Sequence, residues 1–229
     1  NGKEINVIER LPLILKKIKS INKVIIINYP GKKYIKFKSI KKVKIFLWKE
    51  IDKIKSEKII YKKFDFDHEL AILYSSGTTG KPKCICHRSG GVLLQHLKEH
   101  QLHCEINPGD NIFYFTTCGW MMWNWLVTSL ASKASIVLFD GFPMYKKNDL
   151  LIEMANKEKI TLFGISAKYI DSLRKLNVST LEKYKLSKLK TICSTGSPLS
   201  KDGFEYVYKK IKKDVHLASI SGGTDIVSC

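Results

Sequence analysis

Arginine is scarce in this sequence, and this scarcity limits the kinds of binding partner that the chain's positive charge can indicate. The 229 residues include 40 lysines and arginines against 21 acidic residues, but arginine occurs only at Arg10, Arg88 and Arg174. A net charge of +19 suggests nucleic-acid binding, yet readers of nucleic acids use arginine for bidentate contacts with bases and phosphates. We therefore expect no nucleic-acid partner.

The excess of lysine is concentrated at the start of the chain. Residues 1–63 contain 19 basic and 5 acidic residues, whereas residues 64–229 contain 21 and 16. Lysines interleaved with isoleucines, as at residues 16–21, fit the solvated faces of amphipathic elements. A general lysine bias of the source proteome explains these lysines equally well.

Long apolar runs and a cysteine framework are also missing. Residues 24–27 form a typical apolar run, far shorter than the roughly 20 residues that a membrane-spanning helix needs. Among six cysteines, Cys84 and Cys86 form a C-x-C pair and the others stand far apart, so neither a disulfide framework nor a zinc framework is indicated. These absences predict reduced thiols, no membrane partner and a cytosolic protein. A targeting signal that precedes Asn1 would not be visible in this sequence. The sequence also gives no indication of oligomeric state.

Short apolar runs alternate with helical patterns along the chain. The strand candidates are residues 24–28, 69–74, 111–116, 135–139, 161–165, 190–193 and 216–220, and the helix candidates are residues 11–21, 90–103, 122–132, 149–159, 167–176 and 201–212. This alternation predicts an α/β fold with a mostly parallel sheet flanked by helices. Ligands of such folds bind at the carboxyl ends of the strands.

A glycine- and hydroxyl-rich loop follows the second strand candidate. Glycines let backbone N–H groups approach an anion, hydroxyls add donors, and lysines neutralise charge, so the composition suits a polyphosphate. The loop is not a Walker A motif, because its two glycines are only three residues apart and a proline follows the first lysine. A flexible surface loop is the simpler alternative. The candidate phosphate ligands are Ser75, Ser76, Gly77, Thr78, Thr79, Gly80, Lys81 and Lys83.

Four separated motifs carry a resemblance to a known family. Residues 75–83 (SSGTTGKPK), 194–200 (STGSPLS) and 218–225 (ASISGGTD) resemble the signature segments of the adenylate-forming acyl-CoA synthetases. The fourth motif, residues 115–124 (FTTCGWMMWN) followed by residues 136–143, resembles the acetoacetate-activating branch of that family more closely than its acetyl- and propionyl-CoA relatives. The resemblance covers the chain from about Glu69 onward.

The resemblance implies roles for the matching residues. Ser75 to Lys83 would hold the β- and γ-phosphates of ATP, with Thr79 and Lys83 among the catalytic groups. Thr224 would bind the α-phosphate, and Asp225, where most of the superfamily has glutamate, would bind Mg²⁺. The adenine and its surroundings would be held by Gly196, Ser197, Pro198, Gly222 and Gly223.

The resemblance also implies an acid pocket and a coenzyme A entrance. Trp120 would close the floor of a short acyl pocket, Met122 would shape its wall, and Gly164 would leave room for the substrate opposite. Arg88 would meet a phosphate of coenzyme A, although a simple surface role is an equal alternative.

The implied function is ligation of acetoacetate to coenzyme A. The acid and ATP would give acetoacetyl-AMP and pyrophosphate, and coenzyme A would then give acetoacetyl-CoA and AMP. Residues 1–229 would be part of the large N-terminal adenylation domain. The small domain that bears the family's catalytic lysine is absent, so we expect an incomplete chain that turns over poorly alone. The alternatives are an acetyl- or propionyl-CoA synthetase and a noncatalytic nucleotide-binding relative.

One further motif predicts different chemistry. His96, Glu99 and His100 form an H-x-x-E-H pattern of the kind found in some zinc hydrolases, and on a regular helix His103 shares their face. Because a five-residue match arises readily by chance, ordinary helix histidines, solvated or partly buried, are the competing interpretation.

Overall fold

The computed structural model describes residues 6–28, 43–55, 58–75 and 80–228. The chain divides into two compact units, Asn1–Lys63 and Phe64–Cys229. The boundary coincides with the end of the lysine-rich segment. The units therefore differ in charge as well as in chain position.

The first unit contains one small parallel sheet. A 3₁₀ turn, Val7–Arg10, leads into helix α1, Leu11–Lys17, and strand β1, Lys23–Ile26, pairs in parallel with strand β2, Lys44–Leu47. A single helical turn, α2, Trp48–Ile51, follows directly. The predicted helix and strand are thus confirmed with shorter bounds, whereas β2 was not predicted.

The second unit begins with an antiparallel hairpin. Strand β3, Glu69–Ser75, pairs with strand β4, Lys83–Arg88, and the two form their own two-stranded sheet. The prediction of β3 is confirmed, but β4 was missed. The candidate phosphate loop after β3 therefore joins the two strands of a hairpin and does not follow a strand of the parallel sheet.

A five-stranded parallel sheet forms the centre of the second unit. Its order is β6-β5-β7-β8-β9, as numbered along the chain, and each neighbouring pair is parallel. The strands are β5, Asn111–Tyr114; β6, Ser135–Val137; β7, Leu162–Ser166; β8, Thr191–Thr195; and β9, His216–Ser219. All five strand predictions are confirmed. The inner strands β5, β7 and β8 are buried at most positions, as expected for strands covered on both faces, whereas the edge strands β6 and β9 are partly exposed.

Helices connect the strands, and several end in turns of another pitch. They are α3, Ser89–Lys98; α4, Met121–Thr128; α5, Leu150–Lys157; α6, Ala167–Lys175; and α7, Lys201–Tyr206. A π turn, Glu99–His103, continues α3, a 3₁₀ turn, Ser129–Ser132, continues α4, and a second π turn, Val207–Ile211, continues α7. All five helix predictions in this unit are confirmed.

Apolar side chains form two cores in the second unit. Phe113, Phe163 and Ile192 belong to one core, while Tyr114 and Leu162, their neighbours along the strands, belong to the other. This alternation is the strand period of two, and it places one core on each face of the sheet. Within the described parts of the chain, no helix is long and apolar enough to cross a membrane.

Candidate active site

Four segments that are distant in sequence meet at one cleft of about 480 Å³. The cleft is lined by residues from the end of β3, the start of α4, the end of β8 and the chain after β9, namely Leu73, Tyr74, Gly119, Trp120, Met121, Met122, Thr195, Gly196, Ile220, Gly222, Gly223, Thr224 and Ser228. Its volume is in the range of small-molecule sites. The cleft therefore joins the segments that the sequence assigned to acid, adenine and α-phosphate.

The two ends of the phosphate loop lie side by side. Ser75, the last residue of β3, is the cross-strand partner of Lys83, the first residue of β4. The side chains of Lys81 and Lys83 are exposed, as is Gly80. Ser76, Gly77, Thr78 and Thr79 lie outside the described residues. The hairpin thus holds one hydroxyl and one lysine of the candidate loop at neighbouring positions.

The chain turns sharply where β8 ends. Gly196 has φ +86°, and no heavy atom beyond its chain neighbours lies within 4 Å of the position that a Cβ would take. A side chain here would both strain the backbone and enter the cleft, so glycine suits the close approach of a flat ring. Ser197 and Pro198 are exposed next to the lining. The backbone N–H of Leu199 donates to Ser219 Oγ at 3.0 Å, which ties this turn to β9.

A closed turn after β9 carries Thr224 and Asp225. Gly223 and Ser228 form an isolated antiparallel bridge that closes it, and Nε2 of His87 lies 2.8 Å from the carbonyl oxygen of Thr224. Thr224 lines the cleft, whereas the carboxylate of Asp225 is exposed and has no ion pair or hydrogen bond within the described parts of the chain.

Asp225 fits a magnesium site of the kind that binds a nucleotide. Among the described residues, no group of three or more His, Cys, Asp or Glu is arranged to hold a metal ion. Mg²⁺ in nucleotide sites is typically bound by one or two carboxylates, with water and substrate phosphates completing its shell. The exposed carboxylate of Asp225, next to Thr224 in the cleft lining, meets that requirement.

The aromatic cluster divides between the cleft and the core. Trp120 precedes α4, is 66% exposed and lines the cleft, while Met122 lines it from a site that is only 8% exposed. Trp125 is 2% exposed in the core, and Trp123 packs against the same core. Gly119 and Met121 line the cleft as well, so the residues at the start of the cluster can meet a ligand whereas Trp123 and Trp125 belong to the core.

Gly164 occupies a different position from the expected one. It lies in the buried strand β7, and a Cβ built on it would sit 2.1 Å from the ring of Tyr114. The expectation that Gly164 leaves room for substrate is therefore wrong, because the Tyr114 ring fills that space. The Tyr114 hydroxyl donates to Thr195 Oγ1 at 3.0 Å, so Gly164 supports the cleft lining indirectly.

Arg88 is engaged at the base of the hairpin. Its guanidinium lies 3.3 Å from the carboxylate of Glu69, its cross-strand partner, and donates to the Asp67 carbonyl at 3.2 Å. It also borders an open cleft of about 410 Å³ beside His87 and Ile226. A phosphate of coenzyme A would have to compete with Glu69 for this side chain.

The H-x-x-E-H motif is buried and does not form a zinc site. His96 and His100 are 0% exposed and Glu99 is 3% exposed. His103 is exposed, because the chain from Glu99 onward forms a π turn that breaks the helical repeat, and the shared face expected for three histidines is therefore wrong. Burial lowers the pKa of His96, and it lowers the pKa of His100 to about 4, helped by the charge of neighbouring His96.

Comparison with known proteins assigns the chain to a family. Residues 6–224 match the family model described as AMP-binding enzyme, so the chain belongs to the AMP-binding enzymes. It is 55% identical over 171 residues to an acetoacetyl-coenzyme A synthetase of Rhizobium meliloti, a match that covers 75% of this chain and 26% of the relative.

Two further relatives match over the whole chain. An acetoacetyl-CoA synthetase of Gallus gallus is 45% identical, with 100% of this chain and 35% of the relative covered. The solved acetoacetyl-CoA synthetase of Streptomyces lividans superposes with a TM-score of 0.87 at 37% identity, covering 100% of this chain and 34% of that one. The chain thus spans about a third of the length of these relatives.

Sequence reasoning missed residues that support the site. Tyr74 stands directly before the motif at residues 75–83 and could have been found by extending it by one residue, whereas Thr195 lies inside the motif at residues 194–200 and was given no role. His87 is 137 residues from Thr224, and neither residue's neighbourhood predicts that contact. Tyr114 ends a buried strand, where an apolar core role is the ordinary interpretation.

Proposed function

We propose that this chain forms the nucleotide- and acid-binding part of an AMP-forming acetoacetate–CoA ligase. The observation that supports the proposal most is the common cleft, where Trp120 and Met122 meet Gly196 and Thr224. An acid bound at the tryptophan would lie beside the α-phosphate of a nucleotide whose base stacks over the glycine. The family match and the names of the similar proteins agree with this reaction.

The first step would join the acid to AMP. A carboxylate oxygen of acetoacetate attacks the α-phosphorus of ATP, the bond to the β-phosphate breaks, and pyrophosphate leaves. Such chemistry depends on positioning and charge stabilisation. The Thr224 side chain would donate to an α-phosphate oxygen, while Lys81 and Lys83 would stabilise the departing pyrophosphate. Ser75 and the hydroxyls and backbone groups of residues 76–80 would add donors.

Asp225 would hold Mg²⁺ at this site. When bound, the ion would neutralise phosphate charge and orient the nucleotide. Aspartate is shorter than the glutamate usual in the wider superfamily, and we propose that water or the phosphates themselves fill the added distance. This role suits a side chain that is exposed at the tip of the turn.

The second step would transfer the acyl group to coenzyme A. The thiol sulfur attacks the acyl carbon, loses its proton, and AMP leaves with the bonding electrons. Arg88 is the candidate ligand for a phosphate of coenzyme A. Together with His87 it borders the second cleft, of about 410 Å³. Substitution of Arg88 by methionine would then raise the KM for coenzyme A and leave the first step intact.

Carboxylate-dependent exchange of labelled pyrophosphate into ATP tests the first step. The protein expressed from its whole coding sequence would be assayed with acetoacetate, acetate, propionate and butyrate. Exchange strongest with acetoacetate supports the proposal. Exchange strongest with acetate or propionate replaces the substrate by that of the related synthetases, and no exchange from a folded protein that binds ATP indicates a noncatalytic relative.

The acid pocket has its own test. Replacement of Trp120 by glycine removes a ring that is exposed in the cleft, so longer acids should become substrates while the melting temperature changes little. The matched change Trp123→Phe alters a partly buried ring that does not line the cleft, and it should leave acid preference unchanged. An unaltered chain-length preference in Trp120→Gly would remove Trp120 from the acid site.

A further inference from the structure

The buried H-x-x-E-H motif faces the turn that carries Thr224 and Asp225. The Glu99 carboxylate accepts from the Trp125 indole N–H at 2.9 Å, from the Gln95 amide at 3.0 Å, and from the hydroxyl of Ser228. The Gln95 amide also donates to the Ser228 hydroxyl at 2.7 Å. A carboxylate that is 3% exposed and accepts three hydrogen bonds is strongly fixed in position.

His96 holds the same turn one residue earlier. Its Nε2 donates to the carbonyl oxygen of Val227 at 2.6 Å, and its Nδ1 lies 3.0 Å from Thr128 Oγ1. Because a carbonyl can only accept, Nε2 carries a hydrogen in this contact. Both ring nitrogens are thus engaged, one with the turn and one with α4.

The turn needs outside support to keep its shape. Val227 has φ +54°, a left-handed conformation that is an outlier for a β-branched residue. Such a conformation persists when surrounding contacts determine it. The contacts here are the bond from His96 to Val227 and the bond from Ser228, which also lines the cleft, to Glu99.

We propose that Glu99 is a positioning residue that fixes the turn of residues 223–228 against helix α4, and so aligns the nucleotide side of the cleft with the acid side. Through Ser228 it holds the segment that carries Thr224 and Asp225. Through Trp125 it holds the helix whose first turn carries Met122. A catalytic role for this alignment rests on the proposed ligase function. The proposal that Glu99 supports the turn does not depend on that function.

The first test measures the turn directly. In Glu99→Gln, one oxygen becomes an NH₂ group, so an acceptor facing Trp125 or Ser228 is lost while volume is kept. Hydrogen–deuterium exchange of the backbone in residues 223–228 should become at least about tenfold faster, as expected when a local opening is eased. Exchange in β7 and β8 should not change. Glu105→Gln, with the same charge change at an exposed position beyond the π turn, is the matched control and should behave as wild type.

A second variant covers the case in which Glu99→Gln fails to fold. Ser228→Ala removes the bond on the turn and leaves Glu99 with its Trp125 and Gln95 donors. It should accelerate exchange in the turn and weaken binding of ATP with Mg²⁺ in calorimetry. Turn exchange equal to wild type in this variant, or in a folded Glu99→Gln, overturns the proposal.

Kinetics separates alignment from simple stabilisation. Misplacement of reacting groups by about 1 Å can cost on the order of a hundredfold in rate, so kcat for pyrophosphate exchange in Glu99→Gln should fall at least about tenfold at saturating substrates. A lower melting temperature with kcat unchanged at 15 °C would reduce Glu99 to a structural role and overturn the alignment. If the wild-type protein shows no exchange with any acid, the ligase function fails, while the turn exchange and the calorimetry still test Glu99.

Discussion

The five-stranded sheet and the β3–β4 hairpin differ in how far their strands are buried. Strands β7 and β8 are buried at every position but the last. In β3 and β4 exposed residues alternate with half-buried ones, and none is fully buried. The sheet has little freedom to adjust, whereas the hairpin carries exposed polar residues such as Lys83. Stability should therefore depend on the first region and ligand binding on the second.

The largest expected effect comes from adding one methyl group inside the sheet. In Gly164→Ala the new Cβ would meet the Tyr114 ring at 2.1 Å, and Tyr114 is only 4% exposed, so the ring cannot move aside. Overpacking of a rigid core typically costs 1–3 kcal/mol, and we expect about 3 kcal/mol of unfolding free energy here. Urea denaturation would measure it.

A double substitution checks the cause. If the clash with the ring is responsible, Gly164→Ala combined with Tyr114→Ala should lose less stability than the sum of the two single changes. Strict additivity would contradict the packing explanation. Because Tyr114 donates to Thr195 in the cleft, the single Gly164→Ala change should also weaken nucleotide binding.

The next effect depends on pH and arises in the π turn that continues α3, where the ring of His100 packs against Trp125 of α4. Burial holds the pKa of His100 at about 4, against 6.5 for an exposed histidine, and both of its ring nitrogens lack a hydrogen-bond partner within the described parts of the chain. Between these pH values the unfolded chain binds a proton that the folded one excludes. Stability from His100 is thus complete above pH 6.5 and is lost as the pH falls, by about 1.4 kcal/mol per pH unit.

Urea denaturation at pH 7.0, 6.0 and 5.0 would measure the slope. His96, whose pKa is also lowered, adds to it in the same direction. His100→Phe removes one titrating group while keeping an aromatic ring against Trp125, and its slope should be shallower than that of wild type. Equal slopes in the two proteins would show that His100 binds its proton equally well in the folded and unfolded states, so that burial does not lower its pKa.

The comparison explains how much the sequence could predict. The inner strands β5, β7 and β8 were predicted because their apolar runs report burial on both faces. The edge strands β6 and β9 were predicted as well, although they are partly exposed. Strand β4 was missed because Ile85 is the one aliphatic residue among Lys83 to Arg88, so nothing in it distinguishes a strand from a polar loop. The motifs after β5, β8 and β9 located the cleft, since loops after parallel strands gather at one edge, whereas the motif at residues 75–83 belongs to the antiparallel hairpin.

The supporting contacts could not be predicted. Glu99 and Ser228 are 129 residues apart, and their bond depends on how α3 packs against the turn after β9. The position of Gly164 under Tyr114 likewise depends on the pairing of β5 with β7. Local patterns report local structure and burial, whereas these contacts are products of the tertiary arrangement.

A smaller loss of unfolding free energy is expected for a clash outside the sheet that resembles the one at Gly164. In Gly90→Ala the new Cβ would lie 2.2 Å from the Phe66 ring, but Phe66 is 61% exposed and can turn into solvent. The gain in helix propensity from glycine to alanine, up to about 1 kcal/mol, offsets part of the cost. We expect a net loss of about 1 kcal/mol or less by urea denaturation. The neighbouring Gly91→Ala, which meets no atom within 4 Å, should be neutral or stabilising.

The smallest effect is expected at the ion pair that closes the hairpin. Arg88 and Glu69 have side chains that are 48% and 69% exposed, and exposed ion pairs contribute roughly 0–1 kcal/mol. Arg88→Met should therefore reduce unfolding free energy by about 0.5 kcal/mol, and 1 M NaCl should reduce the difference further because salt screens such pairs. A loss above about 2 kcal/mol would show that this pair stabilises the hairpin much more than exposed pairs do. The hairpin would then be as intolerant of change as the sheet, and the contrast between the two regions would fail.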